Sequence, residues 1–365
     1  MTHAPQVLSQ EDLDLGKCVP IKFSNKRLLS KITIVIYLSK IKYMKKIVRI
    51  LLYTLLLLVV VAGGFVGFLE IRGVPKYAAP AIPDFKVETT PERVVQGTKI
   101  ASVQCMVCHR GKDNKLVGRY LSELPDNFGK IYSANITHSK EHGIGAWTDS
   151  ELAYFLRTGV RKNGQYAPIY MPKYAHLSDE DLKSVICWLR SDDPQLVATE
   201  TPTTKPEPSL LTKFLCVVAF KPIPYPAQAV PQPDTTNDVA YGKYLVTGRY
   251  DCYPCHSADF QKVNMQEPEK SLGYCGGGNT MLTLASNPIF TANITLDEKT
   301  GIGTWTEDDF RKAMHESKNK ADHPLRFPML PYTALTDHEV HAIWQYLSTV
   351  PKISNQVDRQ WDKEL

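Results

Sequence analysis

The sequence has little of three things. No sustained alternation of apolar and polar residues occurs, so nothing argues for a half-buried sheet, and the implied class is all-α with long loops. Charge imbalance is confined to one end. Of 43 Lys/Arg and 38 Asp/Glu, ten and three fall in residues 1–69, which leaves 33 against 35 for the rest. The net charge of +5 therefore belongs to the N-terminal segment, and nucleic acid is not an expected partner. Cysteine is sparse at eight residues, and half of them fall in two short motifs.

Long apolar runs are also scarce. Ile50 to Leu69 is free of charge for twenty residues, enough to cross a bilayer as a helix. Lys40, Lys42, Lys45, Lys46 and Arg49 precede it, so the positive-inside rule puts the N-terminus in the cytoplasm and the chain after Glu70 outside. No small-x-small cleavage site follows at the usual distance, Gly63-Gly64 being the nearest, and no lipid-attachment cysteine follows either. These absences favour a retained anchor over a cleaved signal. Met44-Lys-Lys-Ile-Val-Arg reads as a signal-anchor start in its own right. Residues 1–43 are then expected to be a cytoplasmic extension or a misassigned start, and their apolar stretch Ile32–Leu38 is too short to span.

The two cysteine motifs are Cys105-Met-Val-Cys108-His109 and Cys252-Tyr-Pro-Cys255-His256. C-x-x-C-H reads as a c-type haem attachment site. Two thiols one short turn apart can each add to a haem vinyl group, and the adjacent imidazole then points at the iron. The remaining cysteines divide by compartment. Cys18 is expected to be cytoplasmic and reduced, whereas Cys187, Cys216 and Cys275 face an oxidising space. Cys187 reads as a small core residue on a helix face, and a Cys216–Cys275 disulfide is one option.

The motifs announce an internal duplication. Ser133-Ala-Asn-Ile-Thr to Gly-Ile-Gly-Ala-Trp-Thr148 aligns with Thr291-Ala-Asn-Ile-Thr to Gly-Ile-Gly-Thr-Trp-Thr306, with nine of sixteen positions identical at an offset of 158. The same offset carries Met171 onto Met329, Tyr174 onto Tyr332, Leu177 onto Leu335 and Asp179 onto Asp337. The haem motifs are offset by 147, so the second copy holds an eleven-residue insertion, expected around Tyr274-Cys-Gly-Gly-Gly-Asn279. Each copy ends in a predicted helix opened by a capping box, Ser178-Asp-Glu-Asp181 and Thr336-Asp-His-Glu339. Apolar residues follow at helical spacing, and Pro194 and Pro351 stop the helices. Shorter helices are predicted near Pro91–Val103 and Asp238–Val246, where Gly97 and Gly242 suit close crossing. Thr201 to Pro233 contains eight prolines and reads as a semi-rigid linker. The apolar segment Leu210–Phe220 within it is expected to pack on the body or lie on a bilayer surface.

His109 and His256 are the expected proximal iron ligands. Met171 and Met329 are the expected sixth ligands, because they are equivalent in the duplication, lie beside proline and precede the terminal helices. They fall 62 and 73 residues after their histidines, enough chain to wrap a haem edge. Met106, Met265, Met281 and Met314 do not repeat in this way, nor do the other histidines. Asn135, Trp147, Asn293 and Trp305 offer donors that haem propionates could use, against the plainer alternative of turn capping and core packing.

Together C-x-x-C-H, A-N-I-T, G-I-G-x-W-T and M-P-x-Y resemble the membrane-associated multi-haem cytochrome c family, which includes the cytochrome subunits of bacterial alcohol, gluconate and related dehydrogenases. The resemblance covers roughly residues 91–351. It implies helical cytochrome c domains, each wrapped round covalent haem c with His and Met on the iron. It departs in one respect, since those subunits usually carry three haems and this chain has two motifs. The expected organisation is an extension (1–43), a transmembrane helix (44–69), a linker (70–90), a first cytochrome c domain (91–195), a Pro-rich linker (196–236), a second domain (237–353) and a tail (354–365). The expected role is single-electron transfer by two covalently bound haem c groups. The setting is the outer face of a bacterial inner membrane, and the expected partner is a dehydrogenase, a soluble cytochrome or a terminal oxidase. The rival is a haem enzyme of the dihaem peroxidase or thiosulfate-oxidising type, with one haem open or bound by thiolate. Cys275, in the unmatched segment, is the feature that favours it.

Overall fold

No glycine or proline occurs between Lys26 and Ala62, and the chain from Lys26 to Arg72 is one continuous helix, α1. The structure is a computed structural model that describes residues 26–359 apart from Ala79 and Leu284. The expectations for Cys18, residues 1–25 and the last six residues lie outside the described residues. The helix runs on through Met44, where the anchor was expected to start, because nothing between Lys26 and Ala62 disfavours helix strongly enough to interrupt it. At 47 residues α1 is about 70 Å long. Among the described residues it is the one helix long and apolar enough to cross a membrane. The chain divides into two units, Met1–Val66 and Gly67–Leu365, and the second carries both C-x-x-C-H motifs.

The regular structure of that second unit is mainly helical, with two short antiparallel strand pairs among the described residues. Each copy contributes an entry helix, α2 (Pro91–Gln104) or α7 (Asp238–Tyr244), and a terminal helix, α5 (Asp179–Leu189) or α10 (Asp337–Thr349). Helix α2 packs on α5 and α7 on α10, and glycine makes both crossings close. A Cβ at Gly97 would stand 1.9 Å from Ser184 O, and one at Gly242 would stand 1.9 Å from Ala342 O. The haem motifs form the short helices α3 (Met106–His109) and α8 (Cys252–His256). Two further helices, α4 (Asp149–Thr158) and α9 (Glu307–Glu316), open on capping boxes at Thr148 and Thr306. Leu152, Leu156, Leu182 and Ile186 build the first core; Phe310, Val340, Ile343 and Leu347 build the second.

The two helix pairs meet in a reciprocal pattern. Gln96 donates to Asp181 at 3.0 Å, and Tyr241, which stands 145 residues later, donates to Glu339 at 3.3 Å. Lys99 crosses to Glu339 of the other copy, and its equivalent Tyr244 crosses to Asp181. Asp181 and Glu339 are equivalent too, each the third residue of its terminal helix. Such reciprocity is what a two-fold interface produces, here between two halves of one chain. Arg249 sits at the centre. Its Nε is 2.6 Å from Asp181 and its Nη1 is 2.8 Å from Glu339 and 2.9 Å from the Tyr241 hydroxyl. Each of the three charged residues is 3 % exposed.

This interface changes one expected cap. Ser178 Oγ accepts from Asp181 N–H at 3.1 Å, but the return bond of the box is missing. Asp181 is taken by Arg249, Tyr244 and Gln96, and Ser178 N–H donates to the Tyr244 hydroxyl instead. Arg249 itself comes from an irregularity. Nine residues separate Gly242 from Cys252, against seven between Gly97 and Cys105. The excess is absorbed in a π-helical turn, Leu245–Arg249, and in Asp251, whose φ is 53°.

The larger insertion lies earlier than expected. Ile136 N–H donates to Leu116 O and Ile294 N–H to Cys275 O, both at 2.9 Å, so Cys275 takes the place of Leu116. The extra residues therefore fall between His256 and Cys275. Cys275 is fully buried in the second core, and Cys216 in a third cluster with Phe128, Tyr166 and Phe220. Both thiols are free. Cys216 belongs to α6 (Leu210–Val218), the helix within the proline-rich stretch. Just before it, β2 (Glu207–Pro208) pairs with β1 (Gly129–Lys130); in the second copy β3 (Thr280–Leu282) pairs with β4 (Pro288–Phe290).

Candidate functional site

In both copies the motif histidine is oriented by the same carbonyl. His109 Nδ1 lies 2.7 Å from Ala134 O, and His256 Nδ1 lies 2.9 Å from Ala292 O. A carbonyl can only accept, so Nδ1 carries the proton and Nε2 keeps its lone pair for a metal. Burial pushes the His256 imidazole down to about 4 and lowers His109 as well, so both are neutral bases near pH 7.

The repeated Asn and Thr hold the loop that supplies this carbonyl. Asn135 Oδ1 accepts from Thr137 N–H and Oγ1 at 2.9 and 2.7 Å; Asn293 Oδ1 accepts from Thr295 at 3.0 and 2.7 Å. The Asn135 amide donates to Thr199 O and Thr201 O, and the Asn293 amide to Ile353 O and Thr300 Oγ1. Both hydrogens of each amide are thus engaged within the protein, and a propionate contact would have to share them. The plainer alternative, turn fixing, describes what these asparagines do.

The methionine loops also repeat in detail. Met171 N–H donates to Pro168 O and Met329 N–H to Arg326 O; Tyr174 N–H donates to Leu156 O and Tyr332 N–H to Met314 O. In the second copy one cavity of about 330 Å³ is lined by Cys252, Cys255, His256 and Met329. Its walls include Ile294, Ile302, Trp305, Phe310 and Leu347, and Met281 and Met314 also face it. In the first copy Met171 and Trp147 pack on the core that includes Cys105 and Tyr174. Burial, and then the nearby Cys105, push the Tyr174 hydroxyl well up.

Arginine is what the sequence reading missed. Arg326 and Arg359 both line the cavity, and Arg326 Nη1 donates to Arg359 O at 3.2 Å. Desolvation, and then the charge of Arg326, push Arg359 down to about 10. In the first copy Arg161 stands where Asn319 lines the second cavity, since Arg161 N–H donates to Gln165 O and Asn319 N–H to His323 O. Its guanidinium lies 6.0 Å from the Trp147 ring and 5.7 Å from Phe155. No repeated word contains these arginines, so a search by duplication passes over them. An apolar slot with paired thiols, a neutral imidazole, a thioether and two cations suits a flat macrocycle bearing two carboxylates. The residues fit haem c.

The two motifs also approach one another. Gln104 Nε2 donates to Arg249 O at 3.0 Å, and these residues precede Cys105 and Cys252 by one and three positions. Desolvation pushes the Cys255 thiol up to about 11, with Asp251 and then Cys108 of the other motif adding to it. Cys108 and Cys255 are therefore within electrostatic reach of each other.

No family model matches the chain. It is 30% identical over 259 residues to the gluconate 2-dehydrogenase cytochrome c subunit of Pantoea cypripedii, covering 67% of this chain and 56% of that one. It is 27% identical over 270 residues to the cytochrome c subunit of the quinone alcohol dehydrogenase of Gluconacetobacter polyoxogenes, covering 71% and 56%. It is 30% identical over 264 residues to the fructose dehydrogenase cytochrome subunit of Gluconobacter japonicus, covering 68% and 51%. The chain spans about half the length of these relatives. It is similar, as the motifs implied, to the cytochrome c subunits of bacterial dehydrogenases.

Proposed function

We propose that this chain is a membrane-anchored dihaem cytochrome c, passing single electrons between a donor and an acceptor on the outer side of a bacterial inner membrane. The observation that carries the reading is the cavity shared by Cys252, Cys255, His256 and Met329, together with the duplicated histidine-orienting carbonyl in the first copy. Bound haem c supplies reversible one-electron iron chemistry.

The protein's part is to hold and tune. Cys105, Cys108, Cys252 and Cys255 would attach the two groups, and His109 and His256 would ligate through Nε2 while the Ala134 and Ala292 carbonyls fix their rings. Met171 and Met329 would supply sulfur to the groups, and a His/Met pair would raise the reduction potential. Arg326 and Arg359 in the second copy, and Arg161 beside Trp147 in the first, offset the propionate charge. Trp305 and Trp147 wall their sites. The Arg249 interface, with Gln104 on the Arg249 carbonyl, would keep the two motifs beside one another.

Helix α1 serves as the anchor on this reading. The partner is a dehydrogenase of the kind the relatives' names describe, or another redox protein in the same space. Cys275 supports the carrier over the haem-enzyme rival, because it fills the core position of Leu116 and its carbonyl holds Ile294. The test is haem stoichiometry by pyridine haemochrome and intact mass. Two covalent haems per chain are expected, falling to one in Cys252→Ala/Cys255→Ala and in Cys105→Ala/Cys108→Ala. A single haem in the wild type overturns the dihaem reading.

A further inference from the structure

Gly159, Tyr166 and Lys173 of the first copy form a set that the second copy lacks. At the offset of 158 their counterparts are Ser317, Pro324 and Pro331. Lys173 is 5 % exposed. Its ammonium donates to Pro168 O at 2.5 Å and to Met171 O at 2.7 Å, and it lies 5.1 Å from the centre of the Tyr166 ring. Among the described residues no carboxylate pairs with it. Gly159 makes room for the stem. It ends α4 with a φ of 77°, and a Cβ there would stand 2.5 Å from Lys173 Cε. Ser317 ends α9 in the same left-handed region, with a φ of 58°, but carries the side chain that Gly159 omits. Pro331 has neither a side-chain donor nor an N–H.

The two carbonyls that Lys173 holds are the ends of one turn. Met171 N–H donates to Pro168 O, so residues 168–171 form the turn that carries the methionine. Lys173 grips that turn at both ends. The chain that follows is fastened by a second buried cation. Arg157 Nη1 donates to the carbonyls of Tyr174, Ala175 and Leu177 at 3.0, 3.1 and 2.6 Å, with Nη2 on Asp179 at 2.5 Å. At the Arg157 position the second copy has His315, whose Nε2 makes no hydrogen bond among the described residues. A buried cation without a carboxylate costs more than an apolar residue of similar length, so core filling does not explain Lys173. What it touches is the backbone of the expected iron ligand.

We infer that Lys173 is a positioning residue for Met171: it fixes the turn that offers sulfur to the first haem, and so makes that sulfur harder to displace than Met329 sulfur at the second. The inference rests on the His/Met reading above. A loop already ordered in its ligating form gives up little freedom on holding the iron, whereas an unfastened one opens more often and admits a competing ligand. The contrast falls between two sites that share the histidine-orienting carbonyl, the Asn–Thr bonds and the terminal helix, so it isolates the methionine turn.

The test titrates imidazole into the oxidised, haem-loaded, full-length chain and follows the weak red-edge band that reports sulfur on iron. In Met329→Ala that band reports Met171 alone, and in Met171→Ala it reports Met329 alone. Half-loss is expected at an imidazole concentration at least about tenfold higher in Met329→Ala than in Met171→Ala, the size of one charge-assisted bond. Adding Lys173→Met is expected to remove that advantage in Met329→Ala and to leave the titration of Met171→Ala unchanged. Equal half-loss at the two sites overturns the inference without requiring the lysine variant to fold. An effect of Lys173→Met of the same size on both bands also overturns it, being the mark of general loosening. A band that neither Met171→Ala nor Met329→Ala diminishes removes the His/Met reading and this one with it. A band that those variants assign, but whose Met171 part ignores Lys173→Met, removes only this one.

Discussion

Replacing Arg249 with methionine keeps the apolar stem and removes the guanidinium from between Asp181 and Glu339. Both carboxylates are 3 % exposed, so neither gains water in exchange. Removing one partner of a buried ion pair costs about 3–5 kcal/mol. The lower half of that range applies, because Glu339 keeps Lys99 and its Thr336 cap while Asp181 keeps Gln96 and Tyr244. About 3 kcal/mol corresponds to a fall in melting temperature of roughly 5 °C for a body of about 300 residues, Gly67–Leu365. The loss also carries a pH signature. Burial pushes the Glu339 carboxyl up, but Lys99, the Thr336 backbone and Arg249 together hold it below its ordinary value. A lowered carboxyl stabilises the fold above its unfolded value, and that contribution fades as pH falls through the folded one. The gap between wild type and Arg249→Met is therefore expected to narrow on acidification below about pH 5. Thermal melts followed by far-UV circular dichroism at several pH values measure both effects. A loss under about 1 kcal/mol, the size of an exposed pair, would refute the reasoning, as would a gap that widens in acid.

Gly97→Ala and Gly242→Ala each place a methyl 1.9 Å from a carbonyl oxygen of the facing helix. Each is expected to cost about 1–3 kcal/mol or more by overpacking, read from chemical denaturation; a neutral result would show that the helices can separate freely. Burial pushes the Asp251 carboxyl, which lines the second cavity, up to about 8. On the dihaem reading, ionisation there would add negative charge beside the second haem, so its midpoint potential is expected to fall as pH rises through 8, with a limiting slope of ~59 mV per pH unit. Asp251→Asn is expected to flatten that titration, and an unchanged slope assigns it to another group. Met281 and Met314 share the second cavity with Met329; substituting either with leucine is expected to leave iron–sulfur bonding intact, checked by the visible spectrum, and its loss would move the ligand.

The duplication made much of the architecture legible, because the offset of 158 recurs in the hydrogen bonds themselves. Tyr174 to Leu156 becomes Tyr332 to Met314, and Ile144 to Thr137 becomes Ile302 to Thr295. Helices α4 and α9 could have been read from Thr148-Asp-Ser-Glu151 and Thr306-Glu-Asp-Asp309, capping boxes directly after the repeated tryptophans. What the duplication could not show is whatever differs between copies. Arg249 enters through a π-turn that the first copy lacks, and Arg326 and Arg359 have no repeated counterparts. Asn135 and Asn293 read from the sequence as donors to propionates, and in the structure they bond Thr137 and Thr295. Their side chains fix the loops whose Ala134 and Ala292 carbonyls face the motif histidines, a relation that residue type alone does not encode.

The most direct measurement is the visible spectrum of the purified protein in both oxidation states, with carbon monoxide added to the reduced form. Methionine sulfur on both irons predicts a weak band near the red edge in the oxidised protein, reduced in Met171→Ala and in Met329→Ala, and no uptake of carbon monoxide by the native form. A high-spin signal from either haem, or ready binding of carbon monoxide without any substitution, would contradict it.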